Sequence, residues 1–326
     1  MRTNNIALIC DDNYCLPTEV CIQSIVQSMS NCTEEINIHV CTFGLNDINV
    51  QKLKKLSTRN IAVLIDLFNV EDYSNRISQI KQKTHVSPTA LIKFELPRYF
   101  KDLDSLLYLD GDIIVKDTIE DLLNVDLQDY YMAASFELWS YMNAVRYSFK
   151  RDVAFYFNSG VMLLNLRMMR NNDVTDKLWY YKLNLAHTTL MDQESLNSVC
   201  AEKTIPLSIV WNFNPVFFKK ANIPTINKIY KSHYSNTKEL IDDVKIIHYV
   251  GKMDKPWVYK NAQLRDYWDK ANSSLNNPEI LSLKEYIVPQ RSLYRRIIDK
   301  ISVHGVFGTC IYMLYKIKNI NKRSDE

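Results

Sequence analysis

The chain has 326 residues, 47% hydrophobic and 24% charged, which supplies one large globular domain or a domain plus an appendage and excludes general disorder. Its 40 basic and 37 acidic residues leave a net charge of +3, too even for a nucleic-acid binder, and no long basic stripe occurs in the first 270 residues. Seven cysteines without a CxxC pair, and an amino terminus (Met1-Arg2-Thr3-Asn4-Asn5) without the apolar stretch of a secretory signal, point to reduced thiols in a cytosolic protein and away from structural zinc.

Asn5 to Cys10 reads as a buried strand that breaks at Asp11-Asp12-Asn13-Tyr14. Thr18 is then expected to cap a helix carrying Cys21, Ile22, Ile25, Val26 and Met29 on one face. Ile36 to Val40 makes a second strand, Asp47 to Leu56 a helix, Ile61 to Leu67 a third strand and Pro88 to Tyr99 another helix, before a strand from Leu106. Strands alternating with helices predict an α/β fold with a largely parallel, open sheet, whose ligands bind beyond the carboxyl ends of the strands. Further on, Gly160 to Leu166 is expected as a strand preceded by Tyr156-Phe157-Asn158-Ser159, and Asp192-Gln193 opens a helix bearing Leu196 and Val199. Lys245 to Tyr249 is a late strand, followed by Gly251, Lys255, Pro256 and Trp257. Among only six glycines there is no GxGxxG or GxxxxGK[ST] loop, which disfavours ordinary dinucleotide folds and P-loop enzymes. No apolar run reaches the roughly 20 residues needed to cross a bilayer.

Asp110-Gly111-Asp112 stands between the apolar runs Leu106-Leu107-Tyr108-Leu109 and Ile113-Ile114-Val115. In an extended chain residues i and i+2 point the same way, so both carboxylates can reach one divalent cation, and two like charges this close call for one. Gly111 is expected to let a ligand approach the backbone.

Five blocks in order, IALICDDNY (6–14), LLYLDGDIIV (106–115), YFNSGVMLLNL (156–166), MDQESLN (191–197) and IIHYVGKMDKPW (246–257), resemble family 8 of the retaining glycosyltransferases, the group containing glycogenin and the bacterial lipooligosaccharide galactosyltransferases. The resemblance runs from about Asn5 to Trp268 and implies a GT-A fold, Rossmann-like, with helices flanking a mixed, mostly parallel sheet. It implies a retaining α-hexosyltransferase using UDP-galactose or UDP-glucose, with Mn2+, or Mg2+, held by Asp110, Asp112 and His248. Such a metal neutralises charge on the leaving diphosphate. By the same resemblance Asp11, Asn13 and Tyr14 fall where the family binds uridine, the aromatic ring stacking on the base. Lys93 lies where the family usually has an arginine, and an ammonium there lacks the bidentate fork. Asn158, Ser159 and Gly160 match the block that touches the donor sugar. Asp192 and Gln193 match the pair beside the anomeric carbon, where the Gln193 amide oxygen is expected to stabilise oxocarbenium character rather than act as a nucleophile. Glu137 stands where the bacterial galactosyltransferases carry an aspartate near the sugars. After Gly251 the segment to Lys255 is one residue longer than the family spacing, so either Lys252 or Lys255 is expected to grip the diphosphate.

The expected organisation is a glycosyltransferase domain over residues 1–275 and a basic, helical, amphipathic tail over 276–326. In that tail Arg291, Arg295, Arg296, Lys300, Lys316, Lys318, Lys322 and Arg323 are interleaved with apolar and aromatic residues, suiting an anionic membrane surface. A peripheral location on the cytoplasmic face and a lipid-linked or cell-surface glycan acceptor follow as expectations. Two other readings compete: a phosphatase of the haloacid dehalogenase type, which also uses Asp-Xaa-Asp after a strand, and a non-catalytic binder of nucleotides or glycans. The phosphatase lacks its usual Gly-Thr after Asp112, and its second acidic pair, Asp242-Asp243, follows a helix-like segment.

Overall fold

Nine strands are present among the described residues of the computed structural model, which are 3–80, 88–137, 156–186, 192–215, 223–251, 254–278 and 280–285. They are β1 (Thr3–Ile9), β2 (Glu35–Thr42), β3 (Ile61–Leu67), β4 (Ser105–Leu109), β5 (Ile113–Val115), β6 (Met132–Phe136), β7 (Phe157–Asn165), β8 (Thr204–Leu207) and β9 (Ile246–His248). Seven form one sheet in the order β3-β2-β1-β4-β7-β6-β8, and β5 pairs with β9 in a second, two-stranded sheet. β1 to β4 pair in parallel, with Ile6 beside both Ile38 and Leu107, and β6 pairs in parallel with β8. β7 alone runs against its neighbours β4 and β6. This is the GT-A arrangement that the sequence blocks imply, a mixed and mostly parallel sheet flanked by helices.

The apolar runs make this architecture. A strand covered on both faces needs no polar side, and Ile6, Ala7, Leu8, Ile38, Val40 and Cys41 have no exposed surface. The Cys15–Ser28 helix buries Val20, Cys21, Ile22 and Ile25 completely. On the other side Phe94, Leu106, Tyr108, Phe157, Leu178 and Trp179 belong to one core cluster. The six cysteines among the described residues are free and buried.

Three local expectations are corrected. Thr18 does not cap the first helix: the helix begins at Cys15, and the Thr18 hydroxyl donates to the Tyr14 carbonyl at 2.8 Å, an i to i−4 bond inside the first turns. Pro88 to Tyr99 is not one α-helix but a 3-10 segment, Pro88–Phe94, followed by the short helix Leu96–Tyr99. Pro97 sits in the first turn of that new helix, where its missing N–H costs nothing. Asn158 and Ser159, expected just ahead of the strand, also lie within β7, which begins at Phe157.

Topology places the site. β1 and β4 end at Ile9 and Leu109, while the reversed β7 begins at Phe157, so all three open onto one edge. The Asp110 amide donates to the Gly160 carbonyl at 2.8 Å, locking the acidic loop to β7. β5 pairs Ile113 with His248, and the Tyr249 amide bonds the Asp112 carbonyl at 3.0 Å, which brings the late histidine to the acidic pair.

Lys284 exchanges backbone hydrogen bonds with Val258 and Lys260, so the chain through residue 285 stays on this unit. Residues 286–326, with every basic residue named for the tail, lie outside the described residues. No helix among the described residues is long and apolar enough to cross a membrane.

Candidate active site

Asp110, Asp112 and His248 present one ligand atom each, all within 4.8 Å of one another. His248 Nε2 lies 3.1 Å from Asp112 Oδ1 and 3.6 Å from Asp110 Oδ2, with the ring almost fully buried. The three fit a divalent cation: two hard carboxylate oxygens and one imidazole nitrogen, drawn from two elements that the β5–β9 pairing holds together. Gly160 makes room for this. A Cβ there would run into His248 Cε1 and lie 2.7 Å from His248 Nδ1 and 2.8 Å from Asp110 Oδ2. The glycine therefore lets the imidazole pack against β7. The expectation for Gly111 is revised in the same way, because a Cβ there would sit 2.5 Å from Thr18 Oγ1 and 3.3 Å from Tyr14 Cδ1. Its missing side chain admits the first helix of the protein itself.

Two lysines neutralise the carboxylates. Lys255 Nζ ion-pairs with Asp112 Oδ2 and also donates to the Tyr14 hydroxyl at 3.1 Å and the Tyr249 carbonyl at 2.7 Å. Burial opposes ionisation of Asp112, yet the Lys255 ammonium holds its carboxyl well below the usual range. Lys93 Nζ donates to Asp192 Oδ2 at 2.6 Å and ion-pairs with Asp110 Oδ1 at 3.1 Å, and the residue is only 5% exposed. Burial disfavours its charge, but Asp110 and Asp192 together raise its pKa above the ordinary lysine value. Lys93 is thus committed to protein carboxylates, joining the metal-side and sugar-side acids through one ammonium. Lys252 lies outside the described residues, and Gly251 turns the chain after β9 with φ +90°.

The loop after β1 is a capped 3-10 turn, Asp12–Tyr14, in which Asp11 Oδ1 accepts from the Tyr14 amide at 3.1 Å. Asp12 Oδ1 accepts from Asn46 and from Asn49 Nδ2, tying the loop to the start of the Asp47–Lys54 helix, while Asn13 is exposed. Tyr14 turns its hydroxyl to Asp112 Oδ2 at 3.1 Å and meets Trp257 edge-on, with ring centroids 5.8 Å apart. Burial, then Asp112 and Asp110, push the Tyr14 phenol well above its ordinary pKa, so it stays a donor.

On the other side of Gly160 lies a buried polar cluster. Ser159 Oγ donates to Asp192 Oδ2 at 2.8 Å, and Asn158 Nδ2 donates to Glu137 Oε2 at 2.7 Å and to Gln193 Oε1 at 3.2 Å. The Ser159 backbone amide also donates to Gln193 Oε1, at 3.2 Å. The Gln193 oxygen, expected to face the sugar, thus accepts two hydrogen bonds from the protein in this structure. Both of its lone pairs are engaged by the protein, so what the side chain has left to offer a ligand is its Nε2 donor pair. Glu137, Asn158, Asn212, Asn214 and Tyr230 border a small cavity in this region.

Two participants escape sequence reasoning. Asn212 Oδ1 lies 2.9 Å from His248 Nδ1, and Tyr108 donates its hydroxyl to Asp110 Oδ1 at 2.6 Å while its ring lies under the Lys93 ammonium, 4.7 Å away. Tyr108 reads as one apolar letter of a strand. Asn212 offers a faint signal, a polar residue between Ile209-Val210-Trp211 and Phe213.

With this geometry in place, comparison with known proteins is decisive at the level of the family. The model of glycosyl transferase family 8 matches residues 5–261. The chain belongs to that family. A lipopolysaccharide 1,2-glucosyltransferase of Escherichia coli is 27% identical over 280 residues, covering 82% of this chain and 77% of that one. The crystal structure of the galactosyltransferase LgtC with donor and acceptor sugar analogues matches with a TM-score of 0.66 and 24% identity, over 84% of this chain and 96% of that one. An active-site glutamine-to-glutamate mutant of LgtC matches with a TM-score of 0.65 and 23% identity, over the same shares. As a family 8 member the chain is a glycosyltransferase, and Asp242 and Asp243 close the Thr237–Asp243 helix instead of following a strand as the phosphatase reading requires.

Proposed function

We propose that the protein transfers galactose or glucose from a UDP-sugar to a glycan acceptor with retention of the α configuration, using Mn2+ held by Asp110, Asp112 and His248. The observation that carries this is the convergence of those three donors beside a buried amide and carboxylate cluster containing Asn158, Asp192 and Gln193. One half of the site suits a diphosphate and the other a hexose.

When bound, the cation supplies Lewis-acid neutralisation of the diphosphate. The rest is work for the chain. Lys255 is positioned to pass from Asp112 to a phosphate oxygen, and a lysine needs no fixed fork geometry to do so. Tyr14, Asp11 and Asn13 form the uridine side, and Gly251 turns the chain after β9. Asp192, tethered through Oδ2 by Lys93 and Ser159, presents its carboxylate to a sugar hydroxyl, and Gln193 donates through Nε2. The acceptor oxygen attacks the anomeric carbon on the face from which UDP leaves. A new C–O bond forms, the bond to the phosphate oxygen breaks, and the acceptor proton goes to the departing phosphate. Glu137, held by Asn158, lies at the far side, where acceptor or donor hydroxyls are read.

Support for the sugar classes comes from relatives: one is named a lipopolysaccharide glucosyltransferase, and another, a galactosyltransferase, has a glutamine in its active site. The basic residues of 286–326 suit anionic headgroups, which fits a lipid-linked or cell-surface acceptor approached from the cytoplasmic side.

UDP release measured across a panel of UDP-sugars, followed by NMR of the product's anomeric centre, tests the proposal. Turnover of UDP-galactose or UDP-glucose with an α product is expected. An inverted product sinks the retaining mechanism, phosphate release from phosphomonoesters with no UDP-sugar turnover restores the phosphatase, and donor binding without any turnover leaves a binding protein.

A further inference from the structure

Backbone amides, whose donor role is fixed, determine the direction of a chain of side-chain hydrogen bonds that ends at His248. The Gly160 N–H donates to Asn158 Oδ1 at 3.0 Å, so that amide oxygen faces β7 and the Asn158 Nδ2 group faces Glu137 and Gln193. A second amide, Asn212, reaches the same Asn158 oxygen at 2.9 Å and must do so as a donor, through its Nδ2. The opposite end of Asn212 is then its oxygen, which lies 2.9 Å from His248 Nδ1. A carbonyl oxygen only accepts, so the hydrogen of the neutral imidazole sits on Nδ1 and the lone pair sits on Nε2. Nε2 is the atom that faces Asp110 and Asp112.

From this we infer that Asn212 is a positioning residue that holds His248 in its metal-binding tautomer and joins that tautomer, through Asn158, to the orientation of Gln193 on the sugar side. The inference rests on the proposed metal site. All three linking residues are buried, Asn158 at 8%, Asn212 at 7% and His248 at 2% exposure, so water does not compete for these bonds. Asn212 is held in place from the backbone as well: its amide donates to the Ile209 carbonyl, and the Phe213 carbonyl beside it accepts from the His248 amide at 2.8 Å. Asparagine is the residue this position requires. An aspartate can accept from His248 but sets a carboxylate oxygen against the Asn158 carbonyl oxygen, whereas a leucine does neither job.

Two variants separate the roles. Mn2+ binding to the full chain, followed by electron paramagnetic resonance of the free ion, is expected to weaken about 10–100-fold in Asn212→Leu, the usual cost of losing the hydrogen-bond partner of a ligating histidine. Asn212→Asp is expected to keep wild-type Mn2+ affinity, since the acceptor for Nδ1–H remains, but to raise KM for the UDP-sugar because Asn158 and Gln193 lose their fixed orientation. Thermal unfolding of both variants shows whether either result reflects a damaged fold. Unchanged Mn2+ affinity in folded Asn212→Leu overturns the inference, and so do equal losses in both variants that track their thermal stability. Wild-type protein that binds no Mn2+ overturns the metal site itself, and this inference with it.

Discussion

The two halves of the site are built differently. On the nucleotide side, the Asp11–Tyr14 loop follows a parallel strand, is partly exposed, and is held by its own turn and by Asn46 and Asn49 at the start of the Asp47–Lys54 helix. On the sugar side, Lys93, Asn158, Ser159 and Asp192 are each 8% exposed or less, and their bonds join residues as distant in sequence as Lys93 and Asp192, 99 positions apart. A partly exposed loop can replace one lost bond with water and keep its shape. A buried network cannot, because each broken bond strands a desolvated partner. The metal-side residues Asp112 and His248 stand between the halves and share the buried character of the sugar side.

The largest effect is expected where the halves meet. Asp112→Asn removes a proposed metal ligand and the charge partner of Lys255, and UDP release at saturating Mn2+ should fall by about 10³-fold, several kcal/mol of transition-state stabilisation. Next, Lys93→Met strips the shared ammonium from Asp110 and Asp192, and breaking a buried pair by removing one partner typically costs about 3–5 kcal/mol. A fall in thermal stability of that size, read by calorimetry together with loss of turnover, is expected. A variant as stable as wild type would show that the sugar-side network is no more cooperative than the loop. Gly160→Ala pushes His248 off β7, and a displacement of roughly 1 Å at a catalytic group costs about 10²-fold in rate. Its signature is a fall in kcat for UDP release that adding Mn2+ does not repair. The smallest effect is assigned to the nucleotide loop: Asp12→Ala loses its bonds to Asn46 and Asn49, and should raise KM for the UDP-sugar while leaving kcat and the unfolding temperature close to wild type. A kcat loss there as large as that of Gly160→Ala would erase the contrast between the halves.

The same contrast governs what the sequence discloses. The Asp110-Gly111-Asp112 pair is legible because apolar strand runs break at it, and the open parallel sheet is legible from alternating periods. His248 is read only through family resemblance, since nothing local says that β9 pairs with β5. Helix starts mislead where a threonine bonds backward, as Thr18 does, and one helical period hides a 3-10 segment when Pro97 restarts the turn. The orientation of Gln193 and the part played by Asn212 are not legible at all. Both depend on amide bonds across residues 34 or more positions apart, which no local pattern encodes. Gly111 and Gly160 show a related limit: a glycine announces that something comes close, and only the fold says whether it is a ligand or the protein's own Thr18 and His248.

The most direct test of the clamp formed by Asp110, Asp112 and His248 is UDP release by the wild-type protein after chelation and again after Mn2+ is returned. Loss of turnover followed by recovery is predicted. Turnover that continues undiminished in chelator would contradict it.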